Sequence, residues 1–264
     1  MKAQFLTLLS VTILMSSAWA QKPVSPSDAD QKKPVIPNGR PSMFMVSLSY
    51  AGQFPIGDMA KRFYSNNNFG GQLGFITPSN WIFAAEIETI FSEGAKEDVL
   101  SNLRNEYGLI TDQNGQLREI GLSERGWYLG GSVNKLIPLF KKNPRSGIQI
   151  GIGAGFFEHK IRINETSGEV TQLSKDMQPG YDRLSNGFAL RQFVGYRHFS
   201  RKRLANFFLG VDLTTGFTKG RRGWQYDLQR RDDASRIDIL LGLRVGWTLP
   251  IEVYNTKTER IYYY

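Results

Sequence analysis

Between residues 237 and 249 an apolar side chain falls on every odd position: Ile237, Ile239, Leu241, Leu243, Val245, Trp247 and Leu249. The even positions carry Asp238, Gly242, Arg244, Gly246 and Thr248, with Leu240 as the exception. A period of two places the two sets on opposite faces of an extended strand. The run is longer than the usual strand of about 5–6 residues, and it matches the roughly 9–11 residues that a bilayer-spanning strand needs. In lipid, such a strand must have every backbone N–H and C=O paired with neighbours, which requires a closed barrel. The rest of the chain must therefore supply the other staves.

Seven more segments alternate in the same way. Outward-reading sets include Phe44, Val46, Leu48 and Tyr50 in the first segment and Phe69, Leu73 and Phe75 in the second. The third has Trp81, Phe83, Ile87 and Phe91 opposite Ala84, Glu86 and Glu88. Further segments cover 126–139, 148–162, 187–199 and 206–217, and the run 237–249 makes eight. The connections alternate in length: 52–66, 92–125, 164–185 and 218–235 are long and polar, whereas 77–80, 141–147 and 200–204 are short. Long loops at one end and short turns at the other are the layout of an outer-membrane barrel. Within 92–125, residues 97–107 read as a short helix and Asn114-Gly115 as a turn. The expected fold is all-β, an eight-stranded antiparallel transmembrane β-barrel with short periplasmic turns and long extracellular loops. A soluble eight-stranded barrel or a β-sandwich would turn the apolar face inward. The Phe, Leu, Ile and Trp face is too bulky for that interior, and the opposite face is small and charged. Strand-end aromatics (Trp81, Phe91, Trp127, Tyr196, Phe217 and Trp247) read as an interfacial girdle.

The mean hydropathy of −0.33 does not argue against a membrane, because only alternate residues of a barrel face lipid. Residues 1–20 read as a secretory signal, with Lys2, an apolar stretch over 5–15 and a small-x-small site at Ala18-Trp19-Ala20. A Pro-rich periplasmic arm is expected over 21–42, the barrel over 43–250 and a periplasmic tail over 251–264. There is no cysteine, which excludes disulfides and thiolate metal sites. The full sequence has a net charge of +9, and without Lys2 of the expected signal 32 basic residues stand against 24 acidic ones, a net +8, which in a secreted chain points to anionic lipid or glycan rather than nucleic acid.

The signal, the glycine–aromatic strand residues Gly151-Ile152-Gly153-Ala154-Gly155-Phe156 and the closing Leu241-Gly242-Leu243-Arg244-Val245-Gly246-Trp247 resemble the small outer-membrane β-barrels common in Bacteroidetes-type bacteria. The loop Phe54-Pro55-Ile56-Gly57-Asp58-Met59-Ala60 is similar to the first loop of many of them. The resemblance implies a porin-family-like fold and an outer-membrane location. It implies no particular activity.

Glu86, Glu88, Arg191, Asp212, Asp238 and Arg244 all fall on the inward face and are expected to form one lumen charge cluster. Buried charges are costly unless paired, so a salt-bridged plug is expected, with a gated ion path as the functional alternative. His159 and His198 lie towards opposite strand ends, and no cluster has metal-ligand spacing. No metal, cofactor or catalytic residue is expected. The alternative of a lipid-modifying enzyme would draw on His159 with Ser174 or Ser185. In the last long loop, Lys219, Arg221, Arg222, Arg230 and Arg231 form a possible lipid-phosphate-binding loop, because arginine matches phosphate oxygens in a bidentate way. The expected role is that of a non-catalytic barrel, structural or an accessory subunit of an outer-membrane protein assembly or secretion complex. A narrow passive pore is the other alternative. The expected partners are outer-membrane lipids or lipopolysaccharide, and other outer-membrane or periplasmic proteins.

Overall fold

A computed structural model describes residues 41–165, 168–200 and 205–252. The expected signal, nearly all of the Pro-rich arm and nearly all of the C-terminal tail lie outside the described residues. The elements are β1 (Met43–Gly57), α1 (Met59–Arg62), β2 (Asn66–Ile76), β3 (Trp81–Ser92), β4 (Ile110–Thr111), β5 (Leu117–Arg118), β6 (Leu122–Phe140), β7 (Asn143–Ile163), β8 (Ser185–His198), β9 (Phe207–Gly220) and β10 (Ser235–Glu252). Eight of the strands close a barrel in the order β1-β10-β9-β8-β7-β6-β3-β2. Every neighbouring pair is antiparallel, including β1 with β10. The closing strand read from the sequence thus removes both sheet edges.

Side chains alternate as the sequence requires. Phe44, Leu48, Tyr50, Ile87, Leu129, Ile152, Phe188, Leu209, Leu243 and Val245 are all exposed on the outer wall, as part of a continuous apolar belt. Gln192, an awkward polar member of its run, also faces out. Aromatic pairs bridge adjacent strands in the belt, with ring centroids 5.1 Å apart for Phe44–Phe75 and 5.2 Å for Trp127–Phe156. An apolar belt of this extent is unstable in water. A closed antiparallel barrel that carries one is membrane-spanning, and eight-stranded barrels of this kind are an outer-membrane architecture.

Several boundaries differ from the sequence reading. β1 continues to Gly57 where a loop from residue 52 was expected. Phe54 and Ile56 keep the outward alternation, and beyond Gln53 the strand pairs with β10 only. A one-sided setting tolerates Pro55. The β6–β7 hairpin reaches Phe140↔Asn143, so its turn is tighter than 141–147. Residues 97–107 form successive turns and no helix. Asp98 Oδ1 accepts from the Leu100 N–H, and Asn105 Oδ1 accepts from the Tyr107 and Leu109 N–H groups, so these side chains take donors that a helix would need.

The interior also departs from a simple polar filling. At the short-turn end Met43, Met45, Ile76, Ile82, Leu136 and Phe199 form one apolar cluster. At the long-loop end a larger one joins strand residues Ile90, Tyr128, Phe157, Ile161, Ala189 and Leu240 to loop residues Met59, Phe63, Val99, Leu100, Val170, Leu173 and Tyr181. The long connections are thus a folded cap with its own core. Leu240, inward-facing and apolar, is a member of that core and 1% exposed.

Candidate functional site

The centre of the lumen is built on Glu88 of β3. Arg191 of β8 grips it bidentately, at 2.6 Å (NH1–Oε1) and 2.8 Å (NH2–Oε2). Arg244 of β10 donates to the same two oxygens at 2.7 and 3.2 Å. Glu86 accepts from Arg191 at 3.0 Å, and Asp212 of β9 accepts from Arg244 Nε and NH2, each at 3.2 Å. Neutral donors complete the carboxylates. Asn68 reaches Glu88 at 2.8 Å, and Gln72 and Ser132 reach Glu86 at 3.0 and 2.5 Å. The Tyr128 ring stacks on Arg191 with Cζ 3.9 Å from its centroid. Glycines make the space: a Cβ at Gly70 would stand 2.4 Å from Glu88 Cγ, and one at Gly242 would stand 2.7 Å from Asp212 Oδ1.

Arg197 of β8 lies on the same face and adds a third guanidinium. Six residues after Arg191 on β8, it shares that residue's inward face by the period of two, but the expected cluster does not include it. It is 1% exposed and is held by Gln149 at 2.5 Å and Thr248 at 2.8 Å, over the Phe208 ring at 4.3 Å. Glu86, Glu88 and Asp212 are then balanced by Arg191, Arg244 and Arg197. A cavity of about 40 Å³ remains beside these side chains, room for about three waters.

Asp238 does not join this group, contrary to the single cluster expected. It lies nearer the cap in a second network. Arg62 of α1 donates to Asp238 Oδ1 at 3.0 Å and to Ser185 Oγ at 3.2 Å. The other carboxylate oxygen meets His159 Nε2 at 2.9 Å and accepts from Thr218 at 2.5 Å. Phe63 and Phe157 enclose the imidazole, with centroids 5.5 and 5.2 Å away. His159, Ser185 and Asp238 are all fully buried. Ser174 is exposed in the cap, apart from this network. Arg62 was read as a loop residue, and nothing in its local sequence signals that it inserts into the lumen. His198 sits at the other barrel end beside Ser146, at 3.3 Å.

Ion pairs tie the cap loops together. Arg183 donates to Glu97 at 2.9 Å and to Asp227 at 2.8 Å, the second Asp227 oxygen also accepting from it. Burial opposes its charge, but these two carboxylates keep the guanidinium pKa raised. Arg118 pairs with Asp112 at 2.9 Å and with Glu169. The five basic residues expected to form one phosphate-binding loop are dispersed. Arg222 is turned to Asp182, at 2.8 and 2.5 Å. Lys219 and Arg221 are exposed at the barrel wall, and Arg230, whose backbone bridges to Gln225, is exposed beside Arg231 farther along the loop. Among the described residues, no group of three or more His, Cys, Asp or Glu side chains is placed to hold a metal.

No family model matches the chain, and no curated protein matches it. Solved structures of similar shape include Ail, the attachment invasion locus protein of Yersinia pestis, in complex with the heparin analogue sucrose octasulfate. It is 10% identical with a TM-score of 0.45, over 80% of this chain and all of that one. Neisserial surface protein A is also 10% identical, with a TM-score of 0.41 over 78% of this chain and 96% of that one. OprG from Pseudomonas aeruginosa is 10% identical, with a TM-score of 0.37 over 80% of this chain and 97% of that one.

Proposed function

We propose that the chain is a closed, non-catalytic outer-membrane barrel of the Bacteroidetes type that serves as an accessory subunit of a larger envelope assembly. The barrel type is supported by the glycine–aromatic strand residues. The closed state is supported by one observation above all: the lumen is filled at three levels. Met45, Ile82 and Leu136 fill the short-turn end, the Glu88 cluster fills the middle, and the Asp238 network with the cap core fills the long-loop end. A pore needs a continuous aqueous path, and the side chains at these three levels stand across the narrow interior of eight strands. The enzyme alternative would need substrate to reach His159 and Ser185, which are both buried beneath α1 and the cap. An ordered cap that conducts nothing fits a protein used for what it contacts.

Mild detergent extraction followed by pull-down is the test. A stoichiometric partner, together with silence of the purified barrel in planar bilayers, is the expected result. A lone monomer with steady single-channel conductance would sink the proposal in favour of a pore. Altered lipid A in an overexpressing strain would favour the enzyme.

A further inference from the structure

On the outer wall of β7 the alternation changes chemistry abruptly. Phe156 faces out at the top of the apolar belt, and the next outward residues are Glu158, Lys160 and Arg162. The change comes at the same register on β8 and β9, whereas on β6 the aromatic Trp127 still stands opposite Glu158. Phe156 pairs with Phe188 and Phe188 with Phe217, all three exposed aromatics. Two residues along, Glu158 pairs with Asn186 and Asn186 with Lys219.

The polar step is pre-ordered. Trp127 Nε1 donates to one Glu158 oxygen at 3.0 Å, and Asn186 donates to the other at 2.8 Å. Arg221 in turn donates to Asn186 Oδ1 at 2.5 Å. Both oxygens of the Glu158 carboxylate are therefore held by neutral donors. Lys160, Arg162 and Lys219 are exposed and have no ion-pair partner among the described residues, and Arg221 is held only by an amide. Four cations thus lie on the wall above an aromatic row, with the Glu158 carboxylate at the first polar step and the Asp232 carboxylate, held by Arg236 and Gln225, beside Gly220. On the opposite wall the outward charges at the top of β1 are Asp58 and Lys61, paired with each other at 3.0 Å.

We propose that this ledge on β7, β8 and β9 binds the phosphorylated headgroup of an outer-leaflet glycolipid. The acyl chains of that lipid would lie on Phe156, Phe188 and Phe217. Lys160, Arg162, Lys219 and Arg221 would meet its phosphates. The continuity of ledge and belt selects a membrane lipid over a soluble anion, because a ligand that fits both must be apolar just below its charge. The site replaces the single basic loop read from the sequence: it gains Lys160 and Arg162 from the wall, and it loses Arg222, which is turned to Asp182, and Arg230 and Arg231, which lie farther along the last long loop. The inference rests on the barrel standing in a membrane. It does not rest on the lumen being closed, so a conducting barrel would leave it intact.

The test uses full-length protein in detergent, with diphosphoryl lipid A and its dephosphorylated form as probes and native mass spectrometry as readout. The wild type is expected to prefer the phosphorylated form. The triple variant Lys160→Gln/Arg162→Gln/Lys219→Gln is expected to lose affinity for that form on the order of 100-fold, from about fivefold per cation near a charged lipid surface. Lys61→Gln, on the opposite wall, is expected to keep the wild-type preference. All three positions of the triple variant are exposed, and its heat-modifiable gel mobility reports whether the barrel has formed. Equal retention of both lipids by the wild type, or an unchanged preference in the folded triple variant, would overturn the proposal. So would displacement of the lipid by an equimolar amount of inorganic phosphate, which would make the ledge a site for soluble phosphate.

Discussion

Glu88 and Leu100 are both buried inside the same molecule, but they fill it in opposite ways. Glu88 closes the middle of the barrel through five hydrogen bonds, four of them from two arginines on other strands. Leu100 closes the top by packing with Met59, Val99, Leu173 and their neighbours, in a core drawn from several loops. The difference follows from what each region can exclude. The wall strands turn their apolar residues to lipid, so the lumen receives what is left, and charges there must pair. The cap stands clear of the belt in water, where apolar side chains gain by turning inward. One chain therefore has a polar core surrounded by an apolar wall, and above it an apolar core beneath a polar surface.

The sharpest way to break this contrast is at Glu88. Glu88→Ala leaves Arg191 and Arg244 crowded together without their shared carboxylate, and breaking a buried pair this way costs about 3–5 kcal/mol. Urea unfolding from lipid vesicles should show the loss, with a smaller loss when Arg191→Met is added. An additive double variant would mean that the charges do not act as one unit. Leu100→Ala should cost about 2–4 kcal/mol, but in the cap alone. Hydrogen exchange should rise across 93–121 and 164–184 while the heat-modifiable mobility of the barrel stays as it was. Arg183→Ala removes the ties to Glu97 and Asp227, whose charged hydrogen bonds are each worth about 1.5–3 kcal/mol. Limited proteolysis should then cut the cap faster, with little change in barrel unfolding.

The smallest effect is that of pH on the cap. Asp58 is held below the ordinary carboxylate value by its hydrogen bond from Lys61 and one from the Ile237 N–H. Burial pushes Asp232 up, but the Arg236 hydrogen bond and charge, with Gln225, leave it lowered. A depressed folded pKa stabilises above the unfolded value of about 3.9, and the contribution is lost as pH falls through the lowered values. Proteolytic protection of 221–234 should therefore be constant from pH 7 to about pH 5 and decline below about pH 4. A decline that began near pH 6 would point instead to a histidine.

Much of the barrel was legible in the residues themselves. Eight alternating runs, the length pattern of their connections and the inward placement of Glu86, Glu88, Arg191, Asp212, Asp238 and Arg244 all follow from a period of two, which a strand imposes locally. Which inward charges meet was legible only in part. Asp212 with Arg244 follows from adjacent strands. Arg191 with Glu88 requires the sheet to curl until β8 faces β3, across 103 residues of sequence. Asp238 with Arg62 requires α1 to fold against the barrel end so that its arginine side chain reaches a strand residue 176 positions away. The cap core was the least legible part, because Val99 and Leu100 fall in a stretch that reads as a short helix and instead forms turns, and Val170 and Leu173 read as isolated apolar residues in a polar loop. Alternation along the chain determined which residues face lipid and which face the lumen, because that is a property of each strand alone. Closure of the barrel and folding of the loops over it decided which of the inward residues touch, because those contacts exist only once separate strands stand opposite one another.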